Sequence, residues 1–328
     1  ICIILIYLNF KKIAYIGFIF TFISDLLLIT RQVFPFFRLE DIGYILKFIF
    51  ISSVAYQLLF LICVLYCLIA CVFFIKERTK PIIYVYIIVA CMLLFIAQVG
   101  FNVVFNKKKE WISSQIVNFI SLQNEGFAQN LRMNQGLMQN LPYSHASKAL
   151  YERLDDHNHN QIKNNILFVV NESLGMPKDP IVLHQLLLPL YNNKMIKSDI
   201  KINKVPYVGP TVYGELRELC HTQPSNFNLK KLNIGFDQCL PQLFKQHGYE
   251  TTAVHGALGV MYDRKYWYPR AGFENMIFYE SAPWKNHCYS FPAACDWELG
   301  YFISNLFSQS HKPQFIYWLT LNSHSIYD

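Results

Sequence analysis

The chain has 328 residues, of which 53% are hydrophobic and only 16% are charged. This composition is too apolar for an ordinary soluble domain. The net charge is +7, but the basic residues are scattered, and the one tight run, Lys107–Lys109, directly follows an apolar segment. Lipid headgroups explain such a run better than nucleic acid does, so we expect no nucleic-acid partner.

Long apolar runs fill the first part of the chain and predict membrane-spanning helices. The candidate spans are Ile13–Ile29, Ile45–Ile75 and Ile82–Phe105. The first is marginal for a hydrocarbon core that is about 30 Å thick, whereas the second would reach about 46 Å as one helix and must tilt or project. The sequence therefore predicts an integral membrane protein with several spans.

Basic loops predict the orientation of these spans. Lys11-Lys12 and the break Lys76–Lys80 both belong on the cytoplasmic side, because positive residues favour that side. The segment after Phe105 then lies outside, although Lys107–Lys109 argues against this unless its side chains bind lipid phosphate. The sequence begins inside an apolar run and ends directly after a strand-like segment, so we expect a longer protein that is truncated at both ends.

Three regions are expected along the chain. Residues 1–106 form the multispan anchor, residues 107–160 form a polar helical linker on the membrane surface, and residues 161–328 form an extracytoplasmic globular domain. In this last region strands alternate with helices, which predicts an α/β fold. The predicted strands are Ile166–Val170, Thr251–His255, Met276–Phe278 and Phe315–Leu321, and the predicted helices are Thr211–Cys220, Leu240–His247 and Asp296–Phe307.

A carboxylate follows the first buried strand of the globular domain. The run Ile166–Val170 ends in Asn171-Glu172-Ser173. Chemistry in open α/β sheets collects at the carboxyl ends of the strands, and a carboxylate there suits a hard or borderline cation. Taken alone, Glu172 is better explained as a cap of the next helix or as the end of the strand.

A threonine follows Gly209-Pro210 at the predicted start of a helix. There the Thr211 hydroxyl would lie in the positive field of a helix N-terminus, which suits an anionic group. Threonine is a poor nucleophile unless a base or a metal activates it, and Glu172 is placed to hold such a metal. The alternative is that Thr211 only caps the helix.

Two further strands run into histidines. The strand at Thr251–His255 leads into a loop that is rich in aromatic residues and contains Tyr262 and Arg264. Arg264 has the geometry to hold a phosphate with two hydrogen bonds, and Tyr262 can form a wall of the pocket. The last strand leads to His324. The alternative is a surface loop whose aromatic residues pack for stability.

Four of the nine cysteines lie in the polar half of the chain: Cys220, Cys239, Cys288 and Cys295. Their spacing does not match a zinc-binding C-x-x-C pattern. An even number fits two disulfides in an oxidising compartment. Proximity in the sequence favours Cys220–Cys239 and Cys288–Cys295, and four free thiols are the alternative.

These elements in series resemble the alkaline-phosphatase superfamily, and most closely its membrane-anchored branch of lipoteichoic acid synthases and phosphoethanolamine transferases. The order and spacing of the motifs match, as do the multispan anchor and the linker. The resemblance implies an alkaline-phosphatase-like sandwich around a central mixed, mostly parallel sheet. The matching motifs are Asn165-Ile-Leu-Phe-Val-Val-Asn-Glu172-Ser, Gly209-Pro-Thr211, His255-Gly, Tyr262-Asp-Arg264 and Thr320-Leu-Asn-Ser-His324.

The resemblance also implies a role for each residue. Glu172 would bind a divalent metal, Zn²⁺ or Mn²⁺, and Thr211 would be the nucleophile, bound to that metal as an alkoxide. His255, Arg264 and His324 would bind the headgroup and its phosphate oxygens. The family often has Trp where this chain has Tyr262, which leaves the headgroup contact of that residue open. The remaining metal ligands of the family, an Asp-His pair, are expected beyond Asp328.

The implied activity is metal-dependent transfer of a phosphoethanolamine or phosphoglycerol headgroup through a phospho-threonine intermediate. The donor would be a membrane phospholipid and the acceptor a glycolipid or glycan of the cell envelope. The enzyme would reside in the bacterial inner membrane, with its catalytic domain in the periplasm. The alternatives are a hydrolase of the phosphodiesterase or sulfatase type and an inactive lipid-binding sensor. Sulfatase chemistry is disfavoured because Cys220-His-Thr-Gln-Pro224 lacks the C/S-x-P-x-R pattern.

Overall fold

The structure is a computed structural model. Its described residues divide into two compact units, Ile1–Arg132 and Met133–Asp328. The described residues are 10–33, 43, 49, 54–76, 89, 138–140, 144–155, 164–196, 199–205, 210–223, 229–286, 288 and 293–324.

The first unit contains two described helices, α1 (Lys11–Val33) and α2 (Val54–Lys76), which contact each other. Helix α1 includes the predicted span Ile13–Ile29, and α2 includes most of the predicted run Ile45–Ile75. The third predicted span, Ile82–Phe105, lies outside the described residues apart from position 89. None of the helices in the described part of the chain combines the length and the apolar character that crossing a bilayer requires.

The second unit alternates strands and helices, as the sequence predicts. Its strands are β1 (Met138–Asn140), β2 (Ile166–Val170), β3 (Thr222–Gln223), β4 (Glu250–His255), β5 (Asn275–Ile277) and β6 (Gln314–Leu319). Its α-helices are α3 (His145–Asp155), α4 (Pro180–Tyr191), α5 (Thr211–Cys220), α6 (Leu240–Gln246), α7 (Arg264–Ala271) and α8 (Asp296–Gln309). Short 3₁₀ turns lie at Leu229–Lys231, Met261–Asp263 and Tyr279–Ser281.

Four strands form the main sheet in the order β2-β6-β4-β5, and every neighbouring pair is parallel. Val170 and His255 both lie opposite Leu319, so β2, β4 and β6 end at the same edge. The prediction of a mostly parallel α/β sheet is confirmed for these strands. A separate antiparallel pair joins β1 to β3.

Helices cover both faces of this sheet. Residues of β6 with odd numbers, such as Phe315 and Tyr317, pack with α5, α6 and α7, whereas Ile316 packs with Leu299 and Ile303 of α8. The two-residue period of a strand produces this division, because neighbouring side chains point to opposite faces. The result is three layers. The strands β2, β4 and β6, which carry or precede predicted site residues, end at the same edge of the sheet.

The segment after His255 differs from its predicted form. It contains the helix α7 rather than only a loop, so the predicted loop is wrong over Arg264–Ala271. The packing of aromatic residues that the alternative expected is present, because Trp267 and Tyr268 are fully buried. The helix has no regular apolar stripe, so its pattern does not predict it. Tertiary packing of its aromatic residues stabilises it instead.

Candidate active site

Three of the predicted residues meet at the sheet edge. Glu172 lies in the turn after β2, Thr211 is the first residue of α5, and His324 lies in the turn after β6. The Thr211 hydroxyl donates a hydrogen bond to Glu172 Oε1, and His324 Nε2 lies 3.4 Å from the same oxygen. The structure therefore brings a hydroxyl, a carboxylate and an imidazole together from three separate parts of the sequence.

Glu172 is fixed by contacts with the turn after β6. Its backbone N–H donates to Thr320 Oγ1 over 3.1 Å, and its carbonyl oxygen accepts a hydrogen bond from the Ser323 hydroxyl. It does not cap the following helix, because Asp179 does so through a 2.8 Å contact with the N–H of Ile181. The alternative role as a helix cap is therefore wrong.

The Glu172 carboxylate remains ionised although it is only 9% exposed. Burial alone raises its pKa, but the hydrogen bond from His324, the charge of Arg264 and the hydrogen bond from Thr211 outweigh burial and hold the pKa at about 2. Its second oxygen, Oε2, is buried and has no hydrogen-bond partner within the described residues. A buried anionic oxygen without a donor is costly unless a cation or another donor binds it.

The buried carboxylate oxygen and the adjacent hydroxyl bear on the divalent metal that the resemblance implies. Glu172 Oε2 and the adjacent Thr211 hydroxyl are oxygen donors of the kind that Zn²⁺ and Mn²⁺ accept, so the residues present fit part of a metal site. Within the described ranges, no group of three or more His, Cys, Asp or Glu side chains is arranged to hold an ion. The described residues thus supply a partial ligand set.

Thr211 is a helical residue and not the cap of its helix. Pro210 occupies the N-cap position with φ −76° and ψ 157°, and it makes no side-chain cap. The first N–H groups of α5 therefore have no side-chain acceptor at the cap, and their partial positive charge surrounds the half-buried Thr211 hydroxyl. The alternative that Thr211 serves only as an N-cap is wrong.

Arg264 is paired with a residue that the sequence analysis did not identify. Its Nε and Nη2 donate to Glu215 Oε1 over 2.9 and 2.7 Å, with side-chain exposures of only 1% and 0%. Burial alone lowers the pKa of Arg264, but Glu215 raises it on balance, so the guanidinium stays charged. The two-pronged contact expected for a substrate phosphate is thus made with Glu215, and Nη1 makes one long 3.5 Å contact with the Met261 carbonyl.

Tyr262 lies against this guanidinium. The Arg264 Cζ atom is 5.1 Å from the centre of the Tyr262 ring, a cation–π distance. Tyr262 has a left-handed backbone with φ 53°, which turns the chain between β4 and α7. Burial raises its pKa to about 12, so the phenol remains neutral.

His255 is buried and neutral. Its Nδ1–H donates to the Leu319 carbonyl over 3.0 Å, which leaves Nε2 as an acceptor in the neutral ring. Burial and the charge of Arg264 lower its pKa to about 3. His255 therefore contributes no positive charge at neutral pH, and its Nε2 is a hydrogen-bond acceptor.

The neutrality of His255 predicts a pH dependence of stability. Its ordinary pKa is 6.5, so between pH 6.5 and about 3 the unfolded chain binds the proton and the folded protein does not. The free energy of unfolding is therefore highest above pH 6.5, and it should fall by about 2 kcal/mol between pH 7 and 5 as the unfolded chain takes up the proton. Asparagine can keep the donor to Leu319 without titrating. The free energy of unfolding of H255N, measured by thermal unfolding, should therefore fall by about 2 kcal/mol less than that of the wild type between pH 7 and 5. Equal losses in both proteins would contradict a neutral buried His255.

The structure joins Cys220 to Cys239 and Cys288 to Cys295, the pairings that proximity favours. The first connects the last residue of α5 to the residue before α6. The second ends at the residue before α8. Sulfatase chemistry at a C/S-x-P-x-R motif needs a cysteine or serine that is converted to formylglycine. Because Cys220 is bonded to Cys239, its thiol is not available for this conversion.

Residues 210–328 match the family model described as Sulfatase. The matched segment is sulfatase-like, and it contains Thr211, His255, Tyr262, Arg264 and His324. Glu172 precedes it. No curated protein matches the chain.

Two solved structures are similar to the chain. One is a protein in the alkaline phosphatase superfamily from Vibrio parahaemolyticus, with 18% identity and a TM-score of 0.39 over 51% of this chain and 42% of that one. The other is the lipoteichoic acid synthase LtaP from Listeria monocytogenes, with 16% identity and a TM-score of 0.40 over 61% of this chain and 47% of that one. The chain thus spans less than half the length of either structure.

Proposed function

We propose that this protein transfers a phosphate-linked headgroup, phosphoethanolamine or phosphoglycerol, from a membrane phospholipid to a hydroxyl or phosphate of a cell-envelope glycolipid or glycan. The observation that carries this proposal is the contact between the Thr211 hydroxyl and Glu172, an ionised carboxylate whose buried Oε2 has no hydrogen-bond partner among the residues that the structure describes. The sulfatase family match of residues 210–328 supports a reaction at a phosphate or sulfate ester.

The first step forms a bond between Thr211 Oγ and the phosphorus of the donor. The bond from phosphorus to the diacylglycerol oxygen breaks, and the hydroxyl proton lost by Thr211 balances the proton gained by the departing oxygen. The headgroup remains on Thr211 as a phosphodiester. The hydrogen bond that His324 donates to Glu172 raises the pKa of His324, so the Nε2 proton of its charged form faces the carboxylate oxygen that also accepts from Thr211.

The second step releases the headgroup to its acceptor. An acceptor hydroxyl or phosphate oxygen forms a bond to phosphorus, the bond to Thr211 Oγ breaks, and Thr211 regains a proton. The neutral His255 ring can accept a hydrogen bond from the headgroup, and Tyr262 can confine it. Water in place of the acceptor would convert the same intermediate into a hydrolysis product.

Glu172 and Thr211 would hold the divalent metal, which we propose to be Zn²⁺ or Mn²⁺. When bound, such an ion lowers the pKa of a ligating hydroxyl and offsets negative charge on phosphate oxygens. The adjacent helix N-terminus adds partial positive charge from backbone N–H groups. We further propose a multi-pass anchor in the bacterial inner membrane with the domain in the periplasm. Anchoring would raise the effective concentration of a lipid donor.

The proposal is tested by a search for a covalent adduct on Thr211. The full-length protein is incubated with Zn²⁺ or Mn²⁺ and with vesicles of phosphatidylethanolamine and phosphatidylglycerol, quenched in acid and mapped by peptide mass spectrometry. A phosphoethanolamine or phosphoglycerol increment on Thr211 is expected, and its mass identifies the donor. Lipid cleavage with release of the free headgroup and no transfer would identify a hydrolase. No adduct and no lipid cleavage would favour a sensor.

Glu172 provides the test of the metal. The E172Q variant is expected to bind Zn²⁺ or Mn²⁺ at least about 10²-fold more weakly, because glutamine cannot supply the anionic oxygen. Titration of the full-length protein with each ion measures this affinity. The matched control is E298Q, which removes a carboxylate that binds the backbone N–H groups of Lys285 and Asn286. Equal affinities in wild type and E172Q would remove Glu172 from the metal site.

A further inference from the structure

Asp296, the first residue of α8, binds the backbone of the turn that carries His324. Its Oδ2 accepts hydrogen bonds from the N–H groups of Leu321 and Asn322 over 2.9 and 2.7 Å, and its Oδ1 lies 3.0 Å from the Leu321 nitrogen. In return, the Asp296 N–H donates to Asn322 Oδ1 over 2.6 Å. These contacts form a reciprocal clamp between the start of α8 and the turn after β6.

The clamped turn contacts Glu172 at three points. Thr320 accepts a hydrogen bond from the Glu172 N–H, Ser323 donates to its carbonyl oxygen, and His324 Nε2 lies 3.4 Å from its side chain. The turn also fixes the imidazole, because His324 Nδ1–H donates to the Leu321 carbonyl over 2.7 Å. A displacement of this turn would therefore move the carboxylate and the imidazole together.

We infer that Asp296 is a positioning residue for the proposed reaction, and that it holds His324 and Glu172 in register with Thr211 through the turn 320–324. This inference rests on the proposed function. A carboxylate can accept several N–H groups at once, whereas an asparagine there keeps one acceptor and turns an N–H₂ group toward the backbone donors. Ionised carboxylates also make stronger hydrogen bonds than neutral groups do.

A purely structural explanation must be separated from this role. An acidic residue in the first turn of a helix stabilises the helix through its dipole wherever its side chain points. Glu298 lies in the same first turn and also accepts two backbone N–H groups, but from Lys285 and Asn286. The E298Q variant is thus a matched control for loss of a carboxylate at this helix end.

The experiment compares D296N and E298Q in the full-length protein on phosphatidylethanolamine and phosphatidylglycerol vesicles. D296N is expected to lower kcat by about 10–100-fold with KM changed less than about 3-fold, the size of effect seen when a residue supporting a ligand is lost. The kcat of E298Q should stay within about 2-fold of the wild-type kcat. When D296N is added to H324N, kcat should fall by less than about 3-fold further, because both changes disturb the same contact. A full multiplicative loss in that background, or a wild-type kcat in D296N, would overturn the inference.

Hydrogen exchange tests the clamp independently of activity. The amides of Leu321 and Asn322 should exchange at least about 10-fold faster in D296N and be unchanged in E298Q. Unchanged protection in D296N would reject the clamp. If the wild type forms no Thr211 adduct, the proposed function fails and the catalytic role of Asp296 fails with it, while exchange still decides whether the clamp exists. If D296N does not fold, N322A removes the side-chain acceptor of the Asp296 N–H and leaves the Asp296 carboxylate in place. An unchanged kcat in that variant would also overturn the inference.

Discussion

Replacing Thr211 with alanine is expected to abolish headgroup transfer while the fold is retained. Thr211 supplies the only atom that forms the proposed covalent bond, so its loss should lower turnover by at least about 10³-fold. The side chain is half-buried at the start of α5, and the N-cap position belongs to Pro210, so the helix does not depend on this hydroxyl. Turnover of lipid vesicles and the thermal unfolding midpoint of the same samples measure the two effects separately.

Serine provides the matched control at this position. T211S keeps the hydroxyl and loses one methyl group, so it should keep measurable turnover and still form the adduct. A T211A variant with wild-type turnover would remove Thr211 from the reaction. An adduct on another residue in both variants would place the nucleophile elsewhere. A T211A protein without activity but with a strongly lowered unfolding midpoint would show a structural role instead.

The sequence predicts the sheet edge well because local signals mark it. Strands β2 and β6 are short, largely apolar runs followed by polar residues, and parallel strands bring such ends together. The sequence placed Glu172 in the turn after one strand and His255 at the end of another, and the structure confirms both positions. Helix α5 begins and ends at the predicted residues because Pro210 precedes it in an extended conformation and His221 follows it with a left-handed backbone.

Other elements were missed although a local signal existed. Helix α4 begins with Asp179 as its N-cap and Pro180 in its first turn, which is a typical start of a helix. Its apolar residues are continuous rather than periodic, so the run gave no helical pattern. Helix α7 carries no such signal, since its stability depends on the burial of Trp267 and Tyr268.

The electrostatics of the site were least accessible from the sequence. A histidine after a strand suggests a contact with phosphate, but the charge of His255 depends on its burial and on the distance to Arg264. Likewise, Glu215 is one of two acidic residues on α5, and only the fold shows which of them meets Arg264. Charge in an interior is set by three-dimensional neighbours, so residue spacing alone does not predict it.

Glu215 is the centre of a buried polar network that the site depends on. Besides Arg264, it accepts a hydrogen bond from the Tyr268 hydroxyl over 2.5 Å and a longer contact of 3.5 Å from Tyr317. Burial and the charge of Glu215 raise the pKa of Tyr268 well above its ordinary value, so this phenol keeps the proton that it donates. The network links α5, which carries Thr211, to α7 and to the central strand β6.

Replacing Glu215 with alanine is expected to have the largest effect on stability of any substitution at the site. It would leave a guanidinium that is 1% exposed without its counter-ion, and the loss of one partner from a buried ion pair costs about 3–5 kcal/mol. For a domain of this size that corresponds to an unfolding midpoint lowered by roughly 10 °C. E218A is the matched control on the same helix, because the Arg217 partner of Glu218 is 16% exposed and can be hydrated.

A double replacement separates the stability of this ion pair from its function. With Glu215→Leu and Arg264→Met together, no buried charge remains unpaired, so most of the lost stability should return. Activity should return only in part, because the positive charge of Arg264 is one of the interactions that lower the pKa of Glu172. Thermal unfolding and lipid turnover of E215A, E218A and the double variant test this directly. A double variant as unstable as E215A would show that packing, and not an unpaired charge, causes the loss. Full turnover in that variant would mean that the ion pair serves the fold alone.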